Sequence, residues 1–208
     1  SLMMWENTLR QVINLPITHL SLYNLTIEPH TLFFKQKEFL EKLLPDEETS
    51  LQMYEMAIHI LTQKLAQYEI SAFAKQGFHS HHNIGYWIGR PFFGLGPSAF
   101  SYYQNKRFRN IANLSRYHQL LLTHQSPIDF EEELTPIARR KELLAIHLRL
   151  IDGVDLSQFE AIHGQLDQET MTTLQKLESD GFIMKNKDHI RLTKRGTLFY
   201  DSVAVEII

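Results

Sequence analysis

Asp46 to Leu65 is the stretch that most narrows the choice of fold. Leu51, Tyr54, Ile58, Leu61 and Leu65 fall at i, i+3, i+7, i+10 and i+14, which is one face of an amphipathic helix. Asp46 supplies an N-cap after Pro45, and Glu47 and Glu48 put acids in the first turn, where the helix dipole favours them. Met53 and Met56 read as core filler. Two strand-like runs flank this helix. Ile17 to Leu25 carries Ile17, Leu20, Leu22 and Leu25, and Tyr68 to Phe73 alternates Tyr68, Ile70 and Ala72 with Glu69, Ser71 and Phe73. A shorter helix, Trp5 to Asn14, precedes them and stops at Pro16.

The chain changes character further on. Residues 30–44 read as a loop or a short helical excursion, and Lys75 to Phe78 as a loop. Phe100 to Phe108 suggests a hairpin turning at Gln104-Asn105, with Lys106, Arg107 and Arg109 solvated, and Leu114 to Leu122 suggests a helix. Residues 123–133, with His124, Gln125, Ser126, Pro127 and a run of acids, read as a polar linker. Beyond it Thr135-Pro136 opens a helix that Gly153 closes. Helices over Asp155–His163 and Asp167–Ser179 end at Gly164 and Gly181. Phe182–Lys185 and His189–Thr193 read as short strands, followed by a last helix over Thr197–Val205. The expected fold is therefore α/β followed by α+β, divided as 1–122, a linker over 123–133, and a winged-helix-like domain over 134–208.

The 208 residues, 43% of them hydrophobic, suffice for an ordinary core, and the formal charge of -3 gives no general case for nucleic acid. Residues 134–208 hold ten Lys and Arg against eleven acids. The helix that would enter a groove offers Lys176 against Glu169 and Glu178, so nucleic acid is not the expected partner, although the wing carries Lys185, Lys187, Arg191, Lys194 and Arg195. No apolar run approaches the roughly 20 residues that span a bilayer.

The chemistry-bearing stretch is His79-Ser80-His81-His82-Asn83-Ile84-Gly85-Tyr86-Trp87, followed by Gly94-Leu95-Gly96-Pro97-Ser98-Ala99-Phe100-Ser101. Imidazoles can ligate iron, Tyr and Trp offer stacking area, and closely spaced glycines let backbone approach a ligand. The histidines read as a glycine-flanked loop. Three histidines could also suggest zinc, but no carboxylate stands nearby at ligand spacing.

These two motifs, with Gln67–Ala74 before them and Leu20–Pro29 earlier, keep the order and approximate spacing of the oxygen-independent coproporphyrinogen III oxidase family of radical SAM proteins, which the chain resembles over nearly its whole length. The run His82-Asn83-x-x-Tyr86-Trp87 is similar to the branch that binds haem as a chaperone. The resemblance implies that residues 1–122 are the C-terminal part of a radical-SAM βα-barrel, at whose strand ends the ligand would lie. It implies S-adenosylmethionine against Thr26 and Phe100, and haem against His82, Asn83, Tyr86 and Trp87 with His82 on the iron. It further implies a porphyrin or haem ligand, a haem-receiving partner protein and a cytoplasmic location.

One departure is large. The family holds a [4Fe–4S] cluster on a CxxxCxxC loop, and this chain has no cysteine. The chain thus reads as the C-terminal portion of a longer protein, with no catalytic residue of its own, without oxidase activity in isolation, and with exposed strand edges that invite self-association.

Overall fold

The stripe expected over Asp46–Leu65 forms helix α4, Glu47–Leu61, with the Asp46 carboxylate accepting from Thr49 N at 2.8 Å. The hydrogen bonds from Thr49 hold the Asp46 carboxyl below its ordinary pKa. Before it stand helix α1 (Leu2–Val12), strand β1 (His19–Ser21), and two short helices, α2 (Leu32–Lys35) and α3 (Lys37–Leu40), the latter running into a 3-10 turn, Glu41–Leu43. After it come β2 (Ala66–Glu69) and β3 (Ala72–Ala74). The computed structural model describes residues 1–208, which divide into two compact units, Ser1–His79 and Ser80–Ile208.

In the first unit α1 and α4 bury Leu9, Ala57, Ile60 and Leu61 against Leu65 and Phe73. The sheet order is β1-β3-β2, and both pairings are antiparallel. Parallel pairing, as in a βα-barrel, is not what these strands make. The run Tyr68–Phe73, expected as one strand, is a hairpin that turns at Ile70-Ser71, where Tyr54 Oη and Gln67 Nε2 both donate to the Ile70 carbonyl, at 2.8 and 3.1 Å. Across the turn Glu69 and Ala72 pair and share a sheet face, which reverses the alternation, and Tyr68, Glu69, Ala72 and Phe73 are all buried, so polar-apolar patterning does not mark the turn. The strand expected over Ile17–Leu25 is only three residues long: Leu22 N still donates to Ser71 O at 2.7 Å, but the neighbouring chain turns there, and Tyr23 and Leu25 are exposed.

The second unit begins with α5 (His81–Trp87) and a sheet of β4 (Phe100–Tyr103), β5 (Lys106–Asn110) and β6 (Ile128–Glu133), with α6 (Leu114–Leu122) between β5 and β6. The hairpin turns at Gln104 and Asn105, both with positive φ, as its sequence suggested. The expected linker is a correction: its acids form a strand. Lys106 faces Glu133 and Arg107 faces Glu132 across β5 and β6, with Lys106 Nζ 2.7 Å from Glu131, Arg107 Nη2 2.6 Å from Glu132 and Arg109 Nε 3.1 Å from Asp129. The basic strand expected to be solvated and the acidic run expected to link domains neutralise each other.

The rest follows as α7 (Pro136–His147), β7 (Val154–Asp155), α8 (Leu156–His163), α9 (Gln168–Ser179), β8 (Ile183–Asn186), β9 (His189–Leu192), α10 (Lys194–Leu198) and α11 (Tyr200–Ile207). Thr135 caps its helix with a side-chain acceptor, in keeping with Thr135-Pro136 as a helix start, and Asp155 and Asp167, expected as the first residues of their helices, act as caps in the same way. The short strand β7, not foreseen, joins the edge of a β7-β9-β8 sheet. Leu144, Leu148, Val154, Ile190 and Val203 form the buried centre.

Candidate functional site

The motif His82-Asn83-x-x-Tyr86-Trp87 is helical, not a loop. Ser80 Oγ accepts from Asn83 N at 3.3 Å and starts α5. The helix ends in a Schellman arrangement: Gly89, at φ +68°, donates to Tyr86 O at 3.1 Å, and Arg90 N donates to Gly85 O at 2.8 Å. Residues four apart share a helix face, so His82 and Tyr86 meet. Their rings lie edge to face with centroids 4.7 Å apart, and Tyr86 Oη is 2.7 Å from His82 Nε2. Tyr86 packs in turn on Phe92, with centroids 4.6 Å apart. His81 and His82 are exposed; Asn83 is half-buried.

Trp87 points to a different neighbour. The guanidinium of Arg149 lies 4.4 Å from its ring centroid and 5.0 Å from that of Tyr200, whose hydroxyl donates to Ala145 O at 3.0 Å. A cation between two aromatic faces ties α5 to α7 and α11. Burial pushes the Tyr200 phenol above its ordinary pKa, against the pull of Arg149. Trp87 Nε1 is buried without a hydrogen-bond partner. Gly85 is buried because Arg90 occupies the space beside it: a Cβ there would stand 2.3 Å from Arg90 Nη2, which donates to His81 O at 2.9 Å. Arg90 and Arg149 were not singled out from the sequence. Only the i+5 offset of Arg90 from Gly85 could have pointed to the first, and nothing local pointed to the second.

The glycine turn is held from within. Asn110 Nδ2 donates to Gly94 O and Gly96 O at 3.3 and 3.0 Å, Ser101 Oγ accepts from Gly94 N at 3.0 Å, and Tyr117 Oη accepts from Gly96 N at 3.3 Å. A Cβ on Gly94 would meet Phe100 O at 2.1 Å. Phe100, 50% exposed, packs edge-on to Phe130 with Arg109 over it at 5.8 Å. Thr26 is exposed on the extended segment after β1 and belongs to the first unit, whereas Phe100 belongs to the second. The histidines of the motif also divide. His79 stacks on Tyr68 with centroids 4.5 Å apart, and Tyr68 Oη is 2.9 Å from His19 Nε2, all in the first unit. No group of three or more His, Cys, Asp or Glu is placed to hold a metal ion.

Residues 134–199 match the family described as the HemN C-terminal domain. Among curated proteins, the heme chaperone HemW of Bacillus subtilis strain 168 is 30% identical over 200 residues, covering 95% of this chain and 53% of that protein. This chain is similar in sequence to the HemW proteins. The HemW of Escherichia coli K12 is 28% identical over 196 residues, 94% of this chain and 51% of its own length. The chain thus spans about half the length of the curated relatives it matches. A solved structure described as the Escherichia coli coproporphyrinogen III oxidase HemN, a radical SAM enzyme, matches the whole chain and 51% of its own, with a TM-score of 0.80 at 20% identity. The mixed α/β fold is that of HemN. No helix is long and apolar enough to cross a membrane.

Proposed function

We propose that this chain is the C-terminal part of a haem-binding, HemW-like chaperone that delivers haem to a partner protein in the cytoplasm, and that α5 carries the haem contact. The observation behind this reading is the exposed His82 ring one turn from Tyr86 on a helix whose sequence follows the chaperone branch. An exposed imidazole can supply one axial nitrogen to iron, so the residues fit haem. An open, singly ligated site suits a protein that must release its cargo. His82 is the iron ligand in this proposal, with Tyr86 and Asn83 beside it, while Trp87 fixes the helix through Arg149. Thr26 and Phe100 are accessible enough to serve as S-adenosylmethionine contacts of the whole protein. No residue here fits a [4Fe–4S] cluster, which needs thiolates that this chain does not have.

The order helix, strand, helix, helix, hairpin over residues 136–192 supports a winged-helix-like C-terminal module. Its cations do not favour DNA. Lys176 Nζ is 2.8 Å from Glu206, and Arg195 lies over Phe182 while donating to Asp180 O.

Hemin titration followed at the Soret band tests the reading. His82→Ala is expected to weaken binding by about tenfold or more, since an iron bond is lost, whereas His79→Ala, which removes a stacking contact in the other unit, leaves it within about twofold. Superimposable curves for wild type and His82→Ala would exclude His82 as the ligand.

A further inference from the structure

The second unit contains a cleft of about 740 Å³, within the size range of small-molecule sites. One wall is the segment after α5 with the β4–β5 hairpin; the other is α7, α8 and the start of β9. Its floor is aromatic. Phe159 is 3% exposed, with the ring of His163 4.8 Å and that of His147 6.4 Å from its own. Burial, reinforced by the nearby second histidine, pushes His147 down to about 4, and burial together with Arg139 lowers His163. Both rings are neutral near pH 7 and offer flat faces with hydrogen-bonding edges.

The wall is cationic. Arg139 and Arg90 line the cleft, and their hydrogen bonds go to neutral acceptors, the Asn105 side-chain oxygen and the His81 carbonyl. The one acid of the lining, Asp155, spends both oxygens on α8: Oδ1 accepts from Gln158 N at 2.9 Å and Oδ2 from Gln158 Nε2 at 3.3 Å. Two guanidinium groups hydrogen-bonded to neutral acceptors, in a cleft also lined by the mutually tilted rings of Phe159, His147 and His163, form a receptor for a flat organic anion.

We propose that this cleft is a binding site for a planar aromatic or conjugated carboxylate, whose ring lies on Phe159 and whose carboxylate is turned to Arg139 and Arg90. The site does not use His82 and stands or falls separately from the haem reading. Ile162, 74% exposed at the rim, can be changed without touching the core.

The test uses the full 208-residue chain, 2-naphthoate as the probe, and NMR of the histidine ring protons. Saturable shifts of the His147 and His163 signals are expected. The neutral isostere 2-naphthylmethanol should bind at least about fivefold more weakly, as should 2-naphthoate to Arg139→Gln and to Ile162→Glu, the last placing a negative charge at the mouth without a folding cost. Absence of saturable shifts at those two rings would overturn the proposal. So would equal affinity for acid and alcohol, or unchanged affinity in both variants.

Discussion

His82 Nε2 and Tyr86 Oη are 2.7 Å apart, so any iron that takes that nitrogen must first displace the phenol. Tyr86→Phe is therefore expected to tighten hemin binding by a fewfold, since a hydrogen bond worth about 1 kcal/mol no longer competes. Looser binding in the Soret titration would mean that Tyr86 supports the ligand instead of masking it. His147 carries a pH prediction. Its folded-state pKa, about 4, lies below the ordinary 6.5, so the unfolded chain binds more protons between those values. Its contribution to stability is complete above about pH 6.5 and is lost as pH falls towards 4. The loss is on the order of 2 kcal/mol, at about 1.4 kcal/mol per pKa unit discounted for partial exposure. Urea midpoints at pH 7 and pH 4.5 should differ less in His147→Leu than in wild type. His163, lowered in the same direction, adds to the wild-type slope and keeps it from vanishing in the variant.

Strands β5 and β6 show how an expected hairpin arm explains a segment misread as a linker. Lys106-Arg107-Phe108-Arg109 reads as the solvated basic arm of an edge hairpin, and Asp129 to Glu133 reads as a linker because it lacks the apolar alternation of a strand. Opposed in register, they supply the charge partners that each lacks. Arg107 is the centre of the set, bonded to Glu132 and to Glu142 of α7. A double-mutant cycle of Arg107→Gln with Glu132→Gln should give a coupling of about 0.5–1 kcal/mol in low salt, shrinking in 1 M NaCl, as expected for a half-exposed pair. Zero coupling would make the ion pair incidental to sheet pairing. Helix α5 teaches the converse lesson. Three histidines and a nearby glycine suggested a loop, while the Ser80 cap and the one-turn spacing of His82 and Tyr86 were already present as helix signals.

The two units meet at His79/Ser80 and not at residues 123–133. Limited proteolysis checks this. A resistant fragment should begin close to Ser80, released by cutting in the exposed Lys75–Phe78 segment, and it should still contain β6. A resistant fragment that begins after residue 123 would restore the linker boundary. The sequence by itself determined α4, the β4–β5 turn, α6 and the capped helices of the C-terminal region, because caps, prolines, glycines and periodic stripes act over a few residues. The family likeness was equally legible, carried by short motifs in order. Tertiary structure alone decided the antiparallel first sheet, the pairing of β5 with β6, the stacking of Arg149 on Trp87, and the cleft between Arg139 and Phe159. Each of these joins residues far apart in the chain, and local patterning has no term for which distant partner satisfies a buried or charged group.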